Sequence, residues 1–201
     1  EGINQVAVNH RNGLDFATCL RAFLRQDPDV LMIGEIRDQE TADMAIKAAQ
    51  TGHLVLSTLH TNSAADTVNR LLNMDVDSWN LATALSLVIA QRLIRRLCVY
   101  CRRNECLTDE ERQRLGKLKV PETIWRAVGC ARCHHGYRGR VAVMEMLPVT
   151  PDVQQLIGLR CQPLQLVQHA QEAGWPGLHH SAVSALARGD SSPEEVMGVL
   201  F

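Results

Sequence analysis

Residues 28–34, Pro28-Asp-Val-Leu-Met-Ile-Gly34, form a nearly unbroken apolar run that ends in a glycine and passes directly into Glu35. Such a run reads as a strand buried on both faces of a parallel sheet. Asp38 then offers a side-chain oxygen to cap a helix, and Ala42, Ala45, Ile46 and Ala49 recur at helical spacing up to Gly52, which stops it. A second apolar run, His53-Leu-Val-Leu-Ser-Thr-Leu59, leads into Ser63-x-x-Asp66, the pattern of a capping box, with Val68, Leu71 and Leu72 behind it. Strand, helix, strand, helix in this order predicts a right-handed βαβ unit of an α/β domain.

Working outward, Ile3–Val8 alternates as a further strand, and Leu14–Arg25 has helical spacing. Leu81, Leu85, Val88, Ile89, Leu93 and Leu97 predict one long helix over residues 78–97. Residues 98–133 read as a charged insertion with short helices near 108–115 and 121–127. A strand is expected over 139–148, and helices from Pro151 onward.

Composition narrows the function classes. The 201 residues carry 21 Lys and Arg against 22 Asp and Glu, a formal charge of −1, so no whole-protein field draws the chain to nucleic acid or anionic lipid. Eight aromatics leave little for base stacking. The longest strongly apolar run, Leu81–Ala90, is too short to span a membrane, and the first residues lack a signal peptide's features. A cytoplasmic location is therefore expected.

Seven cysteines, an odd number, argue against a closed disulfide framework. Four fall into the knuckles Cys98-x-x-Cys101 and Cys130-x-x-Cys133. Four thiolates so spaced suit a closed, structural, tetrahedral Zn²⁺ site; an iron–sulfur cluster or a redox dithiol are the alternatives. His134 and His135 adjoin it as substitute ligands.

Ligands of open α/β sheets bind beyond the carboxyl ends of the strands. Glu35 stands there, where a carboxylate can orient water and hold hydrated Mg²⁺ near a terminal phosphate; a merely solvated strand end has the same sequence. Ser57-Thr-Leu-His-Thr-Asn62 is brought to the same edge, so His60 can donate to a phosphate oxygen or simply bond a turn carbonyl. His53, at the other end of its strand, reads as structural. Arg37 and Asp38 form a local ion pair, or Arg37 faces a phosphate.

These residues carry a resemblance. Leu24–Asp38 and Thr51–Asn62 resemble the Walker B and His boxes of the secretion ATPase superfamily, which drives type II secretion and type IV pilus assembly; Gln91–Cys98 and Gly136–Arg140 resemble it too. The resemblance implies a RecA-like P-loop NTPase fold, a homo-hexameric ring, ATP with Mg²⁺, and a push on an inner-membrane platform protein from the cytoplasmic face. Within it Glu35 resembles the Walker B glutamate and His60 the nucleotide-sensing histidine. Arg37 is a candidate nucleotide contact; Tyr137 and Arg138, in the loop after the zinc site, either approach the adenine or form a turn that docks the insertion. Arg21 and Arg25 lie on the preceding helix, as a pairing with Asp27 and Asp29 or as subunit contacts. The tetracysteine segment resembles the assembly and secretion branch rather than the retraction ATPases.

No G-x-x-x-x-G-K-[ST] occurs; the one Gly-Lys pair, Gly116-Lys117, lies in the charged insertion. The expected organisation is the C-terminal part of a longer ATPase. Residues 1–97 would be the end of the RecA-like domain, 98–135 the zinc insertion, and 136–201 a strand followed by a helical region. Two rival readings stand beside it. Arg92, Arg95, Arg96, Arg102 and Arg103 beside a zinc module suit a nucleic-acid-dependent, helicase-like motor. A structural or regulatory piece would use Trp125 and Trp175 for packing alone.

Overall fold

The structure is a computed structural model that describes residues 2–9, 11, 13–115 and 120–200. The element order is α1 (Phe16–Leu24), β1 (Val30–Ile33), α2 (Gln39–Gln50), β2 (Leu54–Ser57), α3 (Ala64–Leu72), α4 (Ser78–Ala84), β3 (Leu87–Leu97), β4 (Arg103–Cys106), α5 (Asp109–Leu115), β5 (Thr123–Arg126), β6 (Tyr137–Pro148), α6 (Pro151–Gly158), α7 (Pro163–Glu172), α8 (Leu178–Ala187) and α9 (Pro193–Leu200). Two compact units result, residues 1–88 with 148–167, and residues 89–147 with 168–201. The Gly116-Lys117 pair lies outside the described residues.

In the first unit β1 and β2 pair in parallel, Val30 opposite Leu54 through Ile33 opposite Ser57, with α2 as the crossover. The caps expected at Asp38 and Ser63 form, and Asp15 caps α1 in the same way. Asp15, Asp38 and Ser63 accept from the backbone N–H three residues on, at 2.7, 2.8 and 3.0 Å. Gly52 at φ +102° follows α2 and turns the chain toward β2. Expected burial on both faces of β1 is not found. Leu31 and Ile33 are buried, while Val30, Met32, Leu54 and Leu56 are exposed, because the described helices cover one face only.

Three elements differ from expectation. Residues 78–97 are not one helix: α4 ends at Ala84 and β3 takes over at Leu87. Val88, Ala90 and Ile94 are buried on one face and Leu87, Ile89 and Leu93 exposed on the other, and β6 satisfies the backbone of β3 as its sheet partner. Residues 123–126 form a strand, not a helix, pairing antiparallel with β4 from Arg103 opposite Arg126 to Cys106 opposite Thr123. Residues 3–8 form no strand, having no partner among the described residues.

The second unit has its own core. Ile94, Leu107, Leu115, Ile124, Val143, Leu186 and Val196 are buried together, each worth about 1.5–3 kcal/mol of apolar transfer. The cysteine segment is thus continuous with the packing of α8 and α9. Thr108 and Glu111 form a full capping box at α5: Thr108 N–H donates to Glu111 at 2.9 Å, and Glu111 N–H donates to the Thr108 hydroxyl at 3.2 Å. Arg126 grips the same carboxylate with two bonds of 2.7 Å and also reaches Glu105 at 2.9 Å and Glu194 at 3.5 Å. Gly189, at φ +70°, lets the Trp125 ring lie where a Cβ would stand. Arg102 lies over that ring at 4.4 Å.

The Arg126 guanidinium pulls the Glu111 carboxyl down to about 2 from an ordinary 4.5. A carboxyl lowered on folding stabilises the fold above its unfolded value and loses that contribution as protons bind. We expect the second unit to lose stability between pH 4.5 and about 2, and Glu111→Gln to flatten that part of the profile in acid-titrated melting experiments. Arg126→Ala, which leaves three carboxylates without their cation, is expected to cost about 2 kcal/mol at pH 7.

Candidate functional site

The parallel register sends the chain out of β1 and β2 at one edge, as Gly34-Glu35 and Thr58-Leu59-His60. Two bonds stitch these exits together. Ile36 N–H donates to Thr58 O at 3.0 Å, and the Thr58 hydroxyl donates to Gly34 O at 2.5 Å. Thr58 lies in the polar cluster Ser57–Asn62 that the sequence brings to this edge, but its role in joining the two exits follows only from the β1–β2 register.

The stitch brings Glu35 and His60 together, with His60 Nε2 3.2 Å from Glu35 Oε2. Arg37 Nη2 stands 2.6 Å from Glu35 Oε1. The Arg37 guanidinium holds the Glu35 carboxyl below the usual carboxylate range, against burial that raises it, and His60 adds to the lowering. Arg37 and Asp38 do not pair with each other, because the Asp38 carboxylate is spent on the Thr41 N–H as the cap of α2. Glu35 Oε2 and Ser57 Oγ are buried atoms without a hydrogen-bond partner. Orphan polar atoms of this kind call for a partner, and these two belong to adjoining strand exits where α/β sheets take ligands.

His53 lies at the start of β2, its Nδ1 3.0 Å from Ala48 O and 3.1 Å from the Thr51 hydroxyl, a satisfied turn histidine. Arg21 pairs with Glu40 at 3.3 Å rather than with Asp27 or Asp29.

In the second unit Cys98, Cys101, Cys130 and Cys133 converge, with all four Sγ atoms within 4.8 Å of one another. The separations are 3.9 Å for Cys98–Cys130, and 3.7 Å for both Cys101–Cys133 and Cys130–Cys133. A tetrahedron of thiolates about 2.3 Å from a zinc ion has edges of about 3.8 Å, so the donor set fits that ion. No disulfide joins these cysteines. Each knuckle is a tight turn, Cys101 N–H to Cys98 O at 3.3 Å and Cys133 N–H to Cys130 O at 3.2 Å. Gly129 and Cys130 point further N–H groups at Cys101 and Cys133 sulfur, at 3.4 and 3.3 Å. Burial pushes the Cys101 thiol up to about 11. Burial also opposes ionisation of Cys133, but N–H groups of Cys130 and Gly136 bring it down to about 7. Gly136 is required: at φ +86° a Cβ would come 2.6 Å from Ala127 Cβ. His134 and His135 stand outside the cluster and pack edge to face at 4.3 Å.

The remaining candidates sit in the same unit. Arg95 pairs with Glu195 at 2.7 Å and lies 4.0 Å over the Tyr137 ring, whose hydroxyl is 2.8 Å from Ser192 Oγ. Two arginines of the basic stretch, Arg95 and Arg102, therefore hold the entry to α9 and the Gly189 turn. Arg138 is exposed on β6. Trp175 packs against His169 at 5.7 Å.

A family model described as Type II/IV secretion system protein matches residues 1–198. The Type IV pilus assembly ATPase PilB of Pseudomonas aeruginosa is 49% identical over 98% of this chain and 35% of its own length. The Type II secretion system ATPase E of Vibrio cholerae is 44% identical over 99% of this chain and 40% of its length. The chain thus spans well under half of these curated relatives. Among solved structures, the pilus retraction motor PilT with bound ADP is 28% identical with a TM-score of 0.64, over 92% of this chain and 43% of that one. The ATPase DotB of Legionella pneumophila, 24% identical with a TM-score of 0.63 over 92% of this chain and 42% of that one, shares the α/β fold.

Proposed function

The chain belongs to the type II/IV secretion system protein family, and from that premise we propose that it is part of an ATPase that powers type IV pilus assembly or type II protein secretion. The observation that carries the reading is the Glu35–His60 juxtaposition at the carboxyl edge of the β1–β2 pair. Pilus assembly and type II secretion are the functions named for relatives 49% and 44% identical to this chain. A nucleic-acid-dependent motor is not adopted, since the curated relatives named above are pilus assembly and secretion ATPases.

In the whole protein, ATP with Mg²⁺ supplies the phosphoryl group and the metal charge that lowers the barrier to its transfer. The residues of this chain do the rest at the sheet edge. Glu35 accepts a hydrogen bond from the attacking water and orients it. His60 donates to the terminal phosphate and, through the Thr58 stitch, ties that contact to the exit of β1. The fold is RecA-like, completed by a P-loop on residues this sequence lacks, and the working form is a homo-hexamer that pushes an inner-membrane platform protein from the cytoplasmic side. Among the described residues no helix is long and apolar enough to cross a membrane. Cys98, Cys101, Cys130 and Cys133 would hold a zinc ion as its four ligands, in a structural rather than a catalytic role.

The test is turnover. The full-length protein is expected to hydrolyse ATP in the presence of Mg²⁺, and the 201-residue chain alone to fall at least about a hundredfold below it, because phosphate-stabilising donors are each worth that much. Equal turnover by both would overturn the assignment.

A further inference from the structure

The two oxygens of the Glu35 carboxylate are held differently. Oε1 is anchored by Arg37 at 2.6 Å. Oε2 is the buried oxygen and faces His60 Nε2 at the longer distance of 3.2 Å. The backbone around this pair is pinned on both sides. Ile36 is tied to Thr58 O, and Asp38 is committed to the Thr41 N–H. With Asp38 spent as a cap, the guanidinium has one carboxylate within reach, and it takes the outer oxygen. Arg37 is 72% exposed against 29% for Glu35, so the pair adds little to folding stability. Its consequence is orientation: fixing Oε1 leaves Oε2 as the atom that faces His60 at the ligand edge of the sheet.

We propose that Arg37 is a positioning residue, not a phosphate ligand: it anchors Glu35 Oε1 so that Oε2 is the working oxygen of the site. The inference rests on the ATPase reading above and adds to it the division of labour within one carboxylate. The charged and titratable groups facing Glu35 among the described residues are Arg37 and His60. Loss of the guanidinium should therefore let the carboxyl rise, and the acid limb of the rate profile should move to higher pH.

The test uses the full-length protein with Mg²⁺ and ATP. Arg37→Gln is expected to lower kcat at least about tenfold, to leave KM within about twofold, and to shift the acid limb upward. Arg37→Lys should recover most of the rate and return the limb toward its original position, because it restores the charge beside Oε1. A phosphate ligand would behave otherwise, with KM rising at least about tenfold in Arg37→Gln; that result overturns the proposal. So does an Arg37→Gln variant whose kcat and acid limb match the parent, or one that melts below the assay temperature, since the anchor would then be idle or merely structural. Absence of turnover by the parent protein itself sinks the ATPase reading, a failure distinguishable from any of these.

Discussion

Glu35→Gln in the full-length protein is expected to reduce ATP turnover by at least about a hundredfold, the scale on which a positioned proton acceptor contributes, while ATP binding changes by less than about threefold. The substitution keeps the shape of the side chain and its place at the exit of β1, but replaces the acceptor-only carboxylate with an amide that has one oxygen. What is lost is the second oxygen and the charge, so water is no longer oriented by Oε2. The pairs broken, to an exposed Arg37 and an exposed His60, contribute little to stability, and the melting temperature should move by no more than about 2 °C. Single-turnover measurement with a fluorescent nucleotide for binding separates the two quantities. Turnover close to the parent's would remove Glu35 from the chemistry. Loss of binding in step with turnover would instead make it a ligand of the ground state.

The parts of this site legible in the sequence are those that short-range rules govern. Asp38 and Ser63 announce their helices because a cap is a contact over three residues, and both make it. The two knuckles announce the metal site because thiolate spacing is itself the geometric requirement. The sequence leaves the role of Arg37 open because its partner depends on whether Asp38 is free, which only the capped start of α2 decides. Residues 87–97 misled because Val88, Ile89, Leu93 and Leu97 fit a helical stripe as well as Val88, Ala90 and Ile94 fit an alternating one; the partner strand β6, some fifty residues later, chooses between them. Thr123-Ile-Trp-Arg126 misled for a related reason, since a proline nearby suggests a helix start while the pairing that makes it a strand comes from β4. The cluster of Glu105, Glu111 and Glu194 on Arg126 joins three elements far apart in sequence, and no local pattern marks it.

Zinc removal is the second large effect expected, and its size follows from what else holds the second unit. Small domains whose only core is the metal unfold outright without it, with apparent binding energies of about 10–16 kcal/mol. Here Ile94, Leu107, Ile124, Val143 and Leu186 form a core of their own, and the Arg126 cluster closes it, so chelation should loosen rather than unfold the unit. The loosening should concentrate at the knuckles. Cys98 N–H donates to Gly136 O at 2.8 Å, and this bond, which ties the first knuckle to the turn after the second, has no covalent support once the ion is gone. We expect metal analysis to give one zinc per chain and chelation to cost about 2–3 kcal/mol, seen as a fall of about 10–20 °C in the melting temperature of the second unit. Amide exchange should speed up at residues 98–101 and 130–136 while Val143 and Leu186 stay protected. Cys101→Ser should reproduce this, because three thiolates and a hydroxyl bind the ion far less tightly. Cys106→Ser, an exposed cysteine outside the cluster, should leave zinc content and melting unchanged. Since binding requires thiolates and releases their protons, zinc affinity should fall as the pH is lowered. Native protein with no zinc and four freely titrating thiols would show instead that the tetrahedral cluster is closed by sulfur contacts alone.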